Sequence, residues 1–331
     1  METIQIKGTD LNVSRIGLGT WAIGGWLWGG TDEGKALLTI ESALDHGINF
    51  IDTAPVYGQG FSDELVGKAV ERSGKRNRFV LATKTGLEWT ENGASVFRNS
   101  TRERILKEAE DSLRRLRTDV IDLYQVHWPD DRVPFEETAE AMSRLYRDGK
   151  IRAVGVSNFS PSQMESFRKA APLHTAQPPY NLFERGIESD VLPDCQEKGV
   201  ATVMYGALCR GLLSGRMAKD TTFPGDDLRS WDPKFQAPRF EMYLEAVEKL
   251  DRFALERFGK RVIHLAVRWM LDRPGVSVAL WGARNPVQLG PVDELWGWKL
   301  DSKAMREVDD IIETSVTDPV GPEFMAPPHR E

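Results

Sequence analysis

Residues 120–156, VIDLYQVHWPDDRVPFEETAEAMSRLYRDGKIRAVGV, decide the fold class of this chain. A short apolar run from Val120 to Val126 is followed by a polar loop and an amphipathic stretch from Phe135 to Asp148. A second apolar run, Ala153 to Val156, comes next. The hydrophobic period changes from that of a strand to that of a helix and back, and a crossover of this length joins parallel strands. The segment therefore predicts a βαβ unit.

The same unit repeats along nearly the whole chain. Apolar runs predict eight strands, at Ser14–Leu18, Asn49–Asp52, Phe79–Thr83, Val120–Val126, Ala153–Val156, Thr175–Gln177, Thr202–Tyr205 and Val276–Leu280. Helical stretches separate them, for example Thr31–His46, Arg102–Leu116, Phe135–Asp148, Pro161–Lys169 and Glu241–Phe258. Eight such units in 331 residues predict an α/β protein with one (β/α)8 barrel domain, residues 1–331. An open doubly wound sheet is the structural alternative.

Three segments fall outside this repeat. Residues 1–14 alternate apolar and polar positions around a turn at 7–10, which predicts a β-hairpin that caps the barrel. Residues 216–240 have no clear periodicity and predict a long loop at the active site. Residues 315–331 form a C-terminal tail.

The composition excludes several classes of protein. The net charge is −7 without a basic block, which disfavours binding to nucleic acid or to an anionic membrane surface. The start of the chain lacks the features of a signal peptide, and no long uncharged run could span a bilayer, so we expect a cytoplasmic protein. Cys195 and Cys209 match no metal-ligand spacing and are predicted to be free thiols. We expect no metal site and a monomer or a weak oligomer.

Four residues with complementary chemistry follow the predicted strands at their carboxyl ends, where barrels of this kind carry their sites. Asp52 ends one strand and Tyr57 comes shortly after it, while Lys84 and His127 each follow another strand. Taken singly, these residues could be a helix cap, a loop aromatic, a solvated charge and a core histidine. Because all four would point into one barrel mouth, the sequence predicts an active site there.

These four side chains suit the reduction of a carbonyl group. The carbonyl carbon accepts hydride and the oxygen needs a proton, but a free tyrosine, with a pKa of about 10, releases its proton reluctantly. We expect Lys84 to lower the pKa of Tyr57, and Asp52 to keep Lys84 charged and in place. His127 is expected to donate a hydrogen bond to the substrate oxygen. The sequence thus predicts Tyr57 as the proton donor.

A series of short motifs resembles the aldo-keto reductase family, in particular bacterial members related to general-stress and inositol-utilisation reductases. The motifs are Gly17–Trp21, Asn49–Ala54 with Tyr57–Gly58, Thr83–Lys84, Asp122–Pro129, Gly149–Phe159, Gln177, Tyr205–Leu208, Arg210–Gly215, Gly282–Arg284 and Asp318–Pro328. The resemblance covers nearly the whole chain. It implies a TIM barrel that reduces aldehydes and ketones with NADPH, and that oxidises alcohols or polyols in reverse.

The resemblance also implies which residues bind the cofactor. Those expected around the nicotinamide and the pyrophosphate are Gly19, Thr20, Trp21, Asp52, Ser157, Asn158, Gln177, Tyr205, Gly206, Ala207, Leu208, Cys209, Arg210, Gly211, Leu212, Arg216 and Arg229. Tyr205 would stack on the nicotinamide ring, and Ser157, Asn158 and Gln177 would hold its carboxamide. Arg216 and Arg229 could instead be solvated loop charges. Residues 216–240 would cover the cofactor.

A further group is expected to recognise the 2′-phosphate that distinguishes NADPH from NADH. It consists of Gly282, Ala283, Arg284 and Gln288, with Arg284 making a forked charge-assisted contact. Val292 stands where many relatives carry an Asn or Glu that bonds the adenine, which leaves room for weaker use of NADH. No Gly-x-Gly-x-x-Gly fingerprint follows an early strand, in keeping with a barrel site.

The substrate pocket is expected to be aromatic, with Trp21, Tyr57, Trp89, His127 and Trp128 around it. Two functions from other classes stay open. Adjacent acidic residues at 130–131 and 226–227, with histidines at 127 and 174, could serve a barrel hydrolase that uses paired carboxylates or a metal. The chain could also be a non-enzymatic nucleotide-binding subunit, since the family includes channel β subunits. The sequence does not name a substrate.

Overall fold

The structure is a computed structural model that describes residues 1–90, 93 and 95–330. Its strands are, in chain order, β1 (Thr3–Gln5), β2 (Asn12–Ser14), β3 (Ile16–Gly19), β4 (Phe50–Asp52), β5 (Val80–Thr85), β6 (Leu87–Trp89), β7 (Val96–Arg98), β8 (Leu123–Val126), β9 (Val154–Ser157), β10 (Thr175–Gln177), β11 (Ala201–Met204) and β12 (Val278–Gly282). Its α-helices are α1 (Trp21–Gly24), α2 (Glu33–Ser42), α3 (Phe61–Ser73), α4 (Arg102–Leu116), α5 (Phe135–Arg147), α6 (Pro161–Arg168), α7 (Val191–Lys198), α8 (Arg239–Phe258), α9 (Val262–Leu271) and α10 (Ser302–Ser315).

Eight of the strands form a closed parallel barrel. Their order around the ring is β3, β4, β5, β8, β9, β10, β11 and β12, and β12 pairs with β3 to close it. At least one α-helix lies between each consecutive pair of barrel strands along the chain. The predicted (β/α)8 barrel is therefore confirmed, and the open sheet is excluded by the pairing of the first and last barrel strands.

The helices pack on the barrel through apolar faces with helical spacing. In α4, Ile105, Ala109, Leu113 and Leu116 are buried at intervals of three or four residues. The Thr101 hydroxyl accepts a hydrogen bond from the backbone N–H at the third position of this helix, which satisfies a group that the first turn leaves unpaired. The predicted bounds of α4 match the observed ones, because both the cap and the apolar period are local features of the sequence.

Other predicted elements are present with shifted ends. The largest shift among the strands is at Val120–Val126, where β8 begins only at Leu123. There the Asp122 carboxylate accepts a hydrogen bond from the Leu81 backbone N–H at 2.8 Å, so a side chain takes part in the pairing. The predicted helix at 31–46 is α2 followed by a 3-10 turn. The hairpin of β6 and β7 was not among the predicted elements.

The inside of the barrel is apolar at its amino end and polar at its carboxyl end. Phe50, Leu123 and Val203 belong to a buried cluster that also includes side chains of the N-terminal hairpin, among them Leu11 and Val13. Burying one such side chain contributes about 1.5–3 kcal/mol. The hairpin of β1 and β2 therefore closes the amino end, as predicted, and the cavity lies at the opposite end.

Two segments outside the repeat meet over the carboxyl end. Residues 216–240 contain short 3-10 turns at Leu228–Ser230 and Pro233–Phe235. The C-terminal tail begins after α10, and the Lys234 ammonium donates a hydrogen bond to the Gly321 carbonyl oxygen at 3.1 Å. The predicted tail includes residue 331, which lies outside the described residues. None of the helices in the described part of the chain has the length and apolar content needed to cross a membrane.

Candidate active site

A cavity of about 560 Å³ opens at the carboxyl ends of the barrel strands. Most of the residues predicted for the site line it. They are Gly19, Thr20, Trp21, Asp52, Tyr57, His127, Trp128, Ser157, Asn158, Gln177, Tyr205, Gly206, Ala207, Leu208, Arg210, Gly211, Arg229, Gly282, Ala283, Arg284 and Gln288. Residues from both the 216–240 segment and the C-terminal tail complete the wall.

Lys84 lies beneath this cavity and joins two of the other catalytic candidates. Its ammonium donates hydrogen bonds to Asp52 Oδ1 at 2.5 Å, to the Thr53 carbonyl oxygen at 3.0 Å and to the Tyr57 hydroxyl oxygen at 3.2 Å. The Lys84 side chain is 0% exposed and that of Asp52 is 2% exposed. All three N–H groups of the ammonium thus have an acceptor, as a buried charge requires.

The second carboxylate oxygen of Asp52 is held by two amides. Gln125 and Gln177 donate hydrogen bonds to Asp52 Oδ2 at 3.1 and 2.9 Å. Gln125 was not predicted as a site residue, although a polar residue inside an apolar strand is a visible signal, and it pairs in register with Lys84 on β5. Gln177 was expected at the cofactor, and its amide nitrogen also supports the ion pair.

The pKa values of three groups shift in directions that fix their protonation at neutral pH. Burial and the charge of Lys84 hold the pKa of His127 well below its ordinary value, so the imidazole is neutral. Burial alone would lower the pKa of Lys84, but the neighbouring Asp52 and Tyr57 outweigh it and raise that pKa. Burial raises the pKa of Tyr57, and the opposing effect of Lys84 is too small to reverse this. Lys84 thus lowers the Tyr57 pKa as expected, but burial has the larger effect and the net shift is upward.

The backbone around Tyr57 is fixed by a close approach of two chain segments. A Cβ atom at Gly24 would lie 2.8 Å from the Tyr57 carbonyl oxygen, so a side chain there would displace the loop. The Trp21 ring stacks on the Tyr57 ring with 5.9 Å between centroids, and His127 meets Tyr57 edge-on at 5.7 Å. The phenol is thus held between two aromatic rings in the cavity wall.

The residues predicted to hold a carboxamide lie together around Asn158. This residue has a φ of 64°, a conformation that asparagine tolerates better than most residues. Its amide nitrogen donates to the His127 carbonyl oxygen at 3.0 Å, and its amide oxygen accepts from the Tyr205 hydroxyl at 2.9 Å. The Ser157 hydroxyl donates to the Gln177 carbonyl oxygen at 2.7 Å. Hydrogen bonds therefore hold this cluster together, and it places polar groups beside an aromatic ring.

A buried carboxylate supports the catalytic loop from behind. Asp63 accepts hydrogen bonds from the hydroxyls of Thr53 at 2.9 Å, Thr83 at 3.2 Å and Ser112 at 3.1 Å. Burial outweighs these bonds and raises the pKa of Asp63 to about 6. The sequence analysis did not single out this residue, because its partners come from separate elements. Thr53 links it to Lys84, whose ammonium bonds the Thr53 carbonyl.

The arginines predicted to wrap a pyrophosphate have different environments. Arg210 is buried and forms ion pairs with Asp232 at 2.5 Å and Glu184 at 2.7 Å, which compensate its charge. Arg216 is exposed and does not line the cavity. Arg229 lines the cavity and pairs with Asp227 at 2.6 Å. Arg210 and Arg229 thus both line the cavity with their charges paired to carboxylates, whereas Arg216 lies away from it.

Arg284, which the sequence analysis predicted to bind a 2′-phosphate, lines the cavity. Its guanidinium donates hydrogen bonds to the carbonyl oxygens of Trp28, at 3.0 Å, and Gly30. Its backbone N–H donates to Gln288 Oε1 at 2.7 Å. These bonds fix both predicted phosphate residues at the rim. Val292 is 0% exposed and belongs to the core rather than to the cavity wall.

Three other predicted residues lie outside the cavity wall. Cys209 and Leu212 are fully buried, and Trp89 lies beneath the Arg104 guanidinium, 5.3 Å from its ring centroid. Aromatic residues that the sequence analysis did not assign to the pocket line it instead, namely Trp26, Trp28 and Phe324. Within the described residues, no group of three or more His, Cys, Asp or Glu is placed to hold a metal ion.

The structure is thus a closed parallel barrel whose carboxyl-end cavity has a buried lysine–carboxylate pair beside a tyrosine and a histidine, an arrangement typical of a barrel enzyme. The family model of the aldo/keto reductase family matches residues 15–313, and the chain belongs to this family. The resemblance inferred from the motifs is confirmed.

Individual relatives agree with this assignment. The chain is 60% identical over 331 residues to aldo-keto reductase YhdN of Bacillus subtilis, a match that covers 100% of this chain and 99% of the relative. It is 33% identical over 331 residues to the NADH-specific methylglyoxal reductase of Escherichia coli, covering 95% of this chain and 100% of that protein. Among solved structures, the glycerol dehydrogenase AKR11B4 from Gluconobacter oxydans matches with a TM-score of 0.88 and 55% identity, covering 98% and 99% of the two chains.

The family and these relatives make the chain an oxidoreductase that acts on carbonyl or CH–OH groups of small molecules with a nicotinamide cofactor. The reaction class is therefore redox rather than hydrolytic.

Proposed function

We propose that this protein reduces aldehydes and ketones to alcohols with NADPH, and oxidises alcohols or polyols in reverse, with Tyr57 as the general acid. The observation that carries the proposal is the position of the Tyr57 hydroxyl, which lines the cavity and lies 3.2 Å from the Lys84 ammonium. A buried ammonium at this distance stabilises a phenolate, so the phenol can give up a proton to a substrate oxygen and be restored afterwards.

The groups around the cavity fit a nicotinamide dinucleotide. Ser157 and Asn158 offer a hydroxyl and an amide that suit a carboxamide, and the neighbouring Tyr205 offers an aromatic ring. A Cβ atom at Gly282 would meet nothing within 4 Å, so the backbone there is open to a ligand. The bound cofactor supplies the hydride that reduces the carbonyl carbon.

The residues of the chain supply the proton and hold the substrate oxygen. Tyr57 keeps its proton at neutral pH because burial raises its pKa, so it enters the reaction as an acid. The neutral His127 can donate a hydrogen bond from its ring N–H to the carbonyl oxygen, which polarises the carbonyl without adding a second charge beside Lys84. Asp52 keeps the ammonium in place through the 2.5 Å contact.

Arg284 supports NADPH as the preferred cofactor. The Arg284 guanidinium has five N–H donors, and two of them bond the carbonyl oxygens of Trp28 and Gly30. The side chain is partly exposed at the cavity rim and can present its remaining edge to a 2′-phosphate. A charge-assisted contact of this kind contributes roughly 1.5–3 kcal/mol, or about tenfold to a hundredfold in affinity.

Absorbance at the nicotinamide band tests the proposal with both cofactors. The reduction panel contains methylglyoxal and a series of aldehydes, and the oxidation panel contains glycerol and other alcohols. Methylglyoxal and glycerol are included because one relative is named a methylglyoxal reductase and one similar structure a glycerol dehydrogenase. We expect turnover of aldehydes with NADPH and slower turnover with NADH. An enzyme that prefers NADH, or that turns over no carbonyl or alcohol with either cofactor, contradicts the proposal.

A further inference from the structure

The C-terminal tail forms one wall of the cavity. Phe324, Met325, Ala326 and Pro327 all line it. The Phe324 ring meets the ring of Trp231, which belongs to the 216–240 segment, with 5.3 Å between centroids. The tail wall, residues 324–327, is therefore apolar and faces the cavity.

Arg98, the last residue of β7, holds this wall in place. Its backbone N–H donates a hydrogen bond to the Pro328 carbonyl oxygen at 2.9 Å, and its Nε–H donates to the Pro327 carbonyl oxygen at 2.9 Å. A backbone bridge also pairs Arg98 with His329. Both prolines lack an N–H of their own, so their carbonyl oxygens are the groups through which the tail can be bound from this side.

The same guanidinium also fixes a second part of the wall. Nη1 donates a hydrogen bond to the Pro129 carbonyl oxygen at 3.0 Å, and the guanidinium lies 5.4 Å from the ring centroid of Trp128. Trp128 follows His127 directly and lines the cavity. A single side chain thus sets the distance between the tail wall and the aromatic wall beside the proposed proton donor.

Neighbouring contacts strengthen this attachment at the same point. Arg330 Nη1 donates a hydrogen bond to Asn99 Oδ1 at 3.0 Å, and His329 Nδ1 lies 3.5 Å from Asp130 Oδ1. Three consecutive tail residues, 328–330, therefore contact the end of β7 and the loops that follow β7 and β8. At its other end the tail is bound by Lys234 through the Gly321 carbonyl, so the wall is a strap fixed at both ends.

We infer that Arg98 is a positioning residue that sets substrate selectivity by holding the tail wall against Trp128. The inference rests on the proposed reductase function. Arg98 does not itself line the cavity, so its effect passes through Pro327 and Trp128. The substrates concerned are carbonyl compounds with an apolar or aromatic substituent that is large enough to touch the wall. A compound as small as methylglyoxal has little apolar surface that could contact the tail wall, so displacement of the wall should affect it little.

The test compares Arg98→Met with the parent and with Arg102→Met as a matched control. Arg102 is an exposed arginine on α4 that pairs with Glu140 at 2.8 Å and does not line the cavity. We measure kcat and KM for methylglyoxal and for 4-nitrobenzaldehyde, and the NADPH dissociation constant by fluorescence. Since contact with a hydrophobic pocket is worth about tenfold or more in specificity, Arg98→Met should raise KM for the aromatic aldehyde by about tenfold.

For methylglyoxal, kcat and KM of Arg98→Met should stay close to the parent values, as should NADPH affinity. Arg98→Lys can reach one carbonyl but lacks the fork, and should recover part of the selectivity. A chain that ends at Pro322 lacks the wall but keeps the Gly321 carbonyl for Lys234, and should raise KM for the aromatic aldehyde, relative to methylglyoxal, at least as much as Arg98→Met does. This second variant decides the question if Arg98→Met does not fold.

Equal changes in KM for both aldehydes, no change for either, or a shortened chain as selective as the parent would overturn the inference. These results differ from a failure of the proposed function itself. If the proposed function fails, the parent turns over neither aldehyde with NADPH or NADH. If only the inference about Arg98 fails, the parent is active and the variants discriminate between the two aldehydes as the parent does.

Discussion

Replacing Lys84 with methionine removes the cation of a fully buried ion pair. Lys84 and Asp52 are 0% and 2% exposed, and the substitution leaves the carboxylate buried without its partner. Breaking a buried pair in this way costs about 3–5 kcal/mol. Because Asp52 keeps its hydrogen bonds from Gln125 and Gln177, we expect a loss near the lower end, about 3 kcal/mol.

Urea unfolding of four proteins measures this loss and shows how much of it comes from the interaction between Lys84 and Asp52. They are the parent, Lys84→Met, Asp52→Asn and the double variant. In the double variant neither charge is left alone, so its loss should be smaller than the sum of the single losses by about 1–3 kcal/mol. Losses that add up within error would refute the reasoning, because the two side chains would then contribute independently.

The same variant should also change the proposed chemistry at Tyr57. Loss of the ammonium 3.2 Å from the phenol should lower turnover by about 10²–10⁴-fold, the usual contribution of a positioned proton donor. Alcohol oxidation needs the phenolate, so its rate rises with pH through the Tyr57 pKa. Lys84 lowers that pKa against the effect of burial, and without it the rise should move to higher pH. An unchanged profile would refute the pairing.

Three further substitutions test other parts of the site. Tyr57→Phe should reduce turnover by about 10²–10⁴-fold while NADPH binding, measured by fluorescence, stays nearly intact, and a rate close to the parent's would contradict the role of Tyr57. Arg284→Ala should weaken NADPH by about tenfold or more and NADH much less, and equal losses in the two dissociation constants would count against phosphate recognition. Asp63→Asn should raise the free energy of unfolding above pH 6. The pKa of Asp63 rises from 3.8 to about 6 on folding, so its protonated form stabilises the fold below pH 3.8 and this stabilisation is lost through pH 6. The gain in unfolding free energy of Asp63→Asn, at most about 3 kcal/mol, should vanish near pH 3.8 when it is measured by urea unfolding. A difference between variant and parent that does not depend on pH would argue against the raised pKa of Asp63.

The sequence predicted the barrel well because its evidence is local. Each strand–helix unit has its own change of hydrophobic period, and the eight units then leave few ways to pair. Tyr57, Lys84 and His127 could be placed at one mouth for the same reason, since the carboxyl ends of parallel strands share one end of a barrel. The unpredicted β6 and β7 have three residues each, too few for a clear period.

Contacts between distant elements could not be predicted. The role of Asp63 depends on hydroxyls from three different parts of the chain, and the tail wall depends on Arg98, more than 200 residues away from its partners. The net direction of the Tyr57 pKa shift could not be predicted for a related reason. The sequence shows a cation near the phenol, but it does not show that burial has the larger effect.

The buried charges also favour Tyr57 over the other three groups as the source of the proton. Deprotonating Lys84 would remove the cation from Asp52, and the raised pKa of Lys84 reflects that cost. His127 is neutral, and protonating it would place a second cation near Lys84. Asp52 accepts hydrogen bonds at both oxygens and has no proton to give. Loss of the Tyr57 proton instead creates an anion beside an ammonium, so among these groups it is the loss that a neighbouring charge favours, although burial still raises the Tyr57 pKa overall.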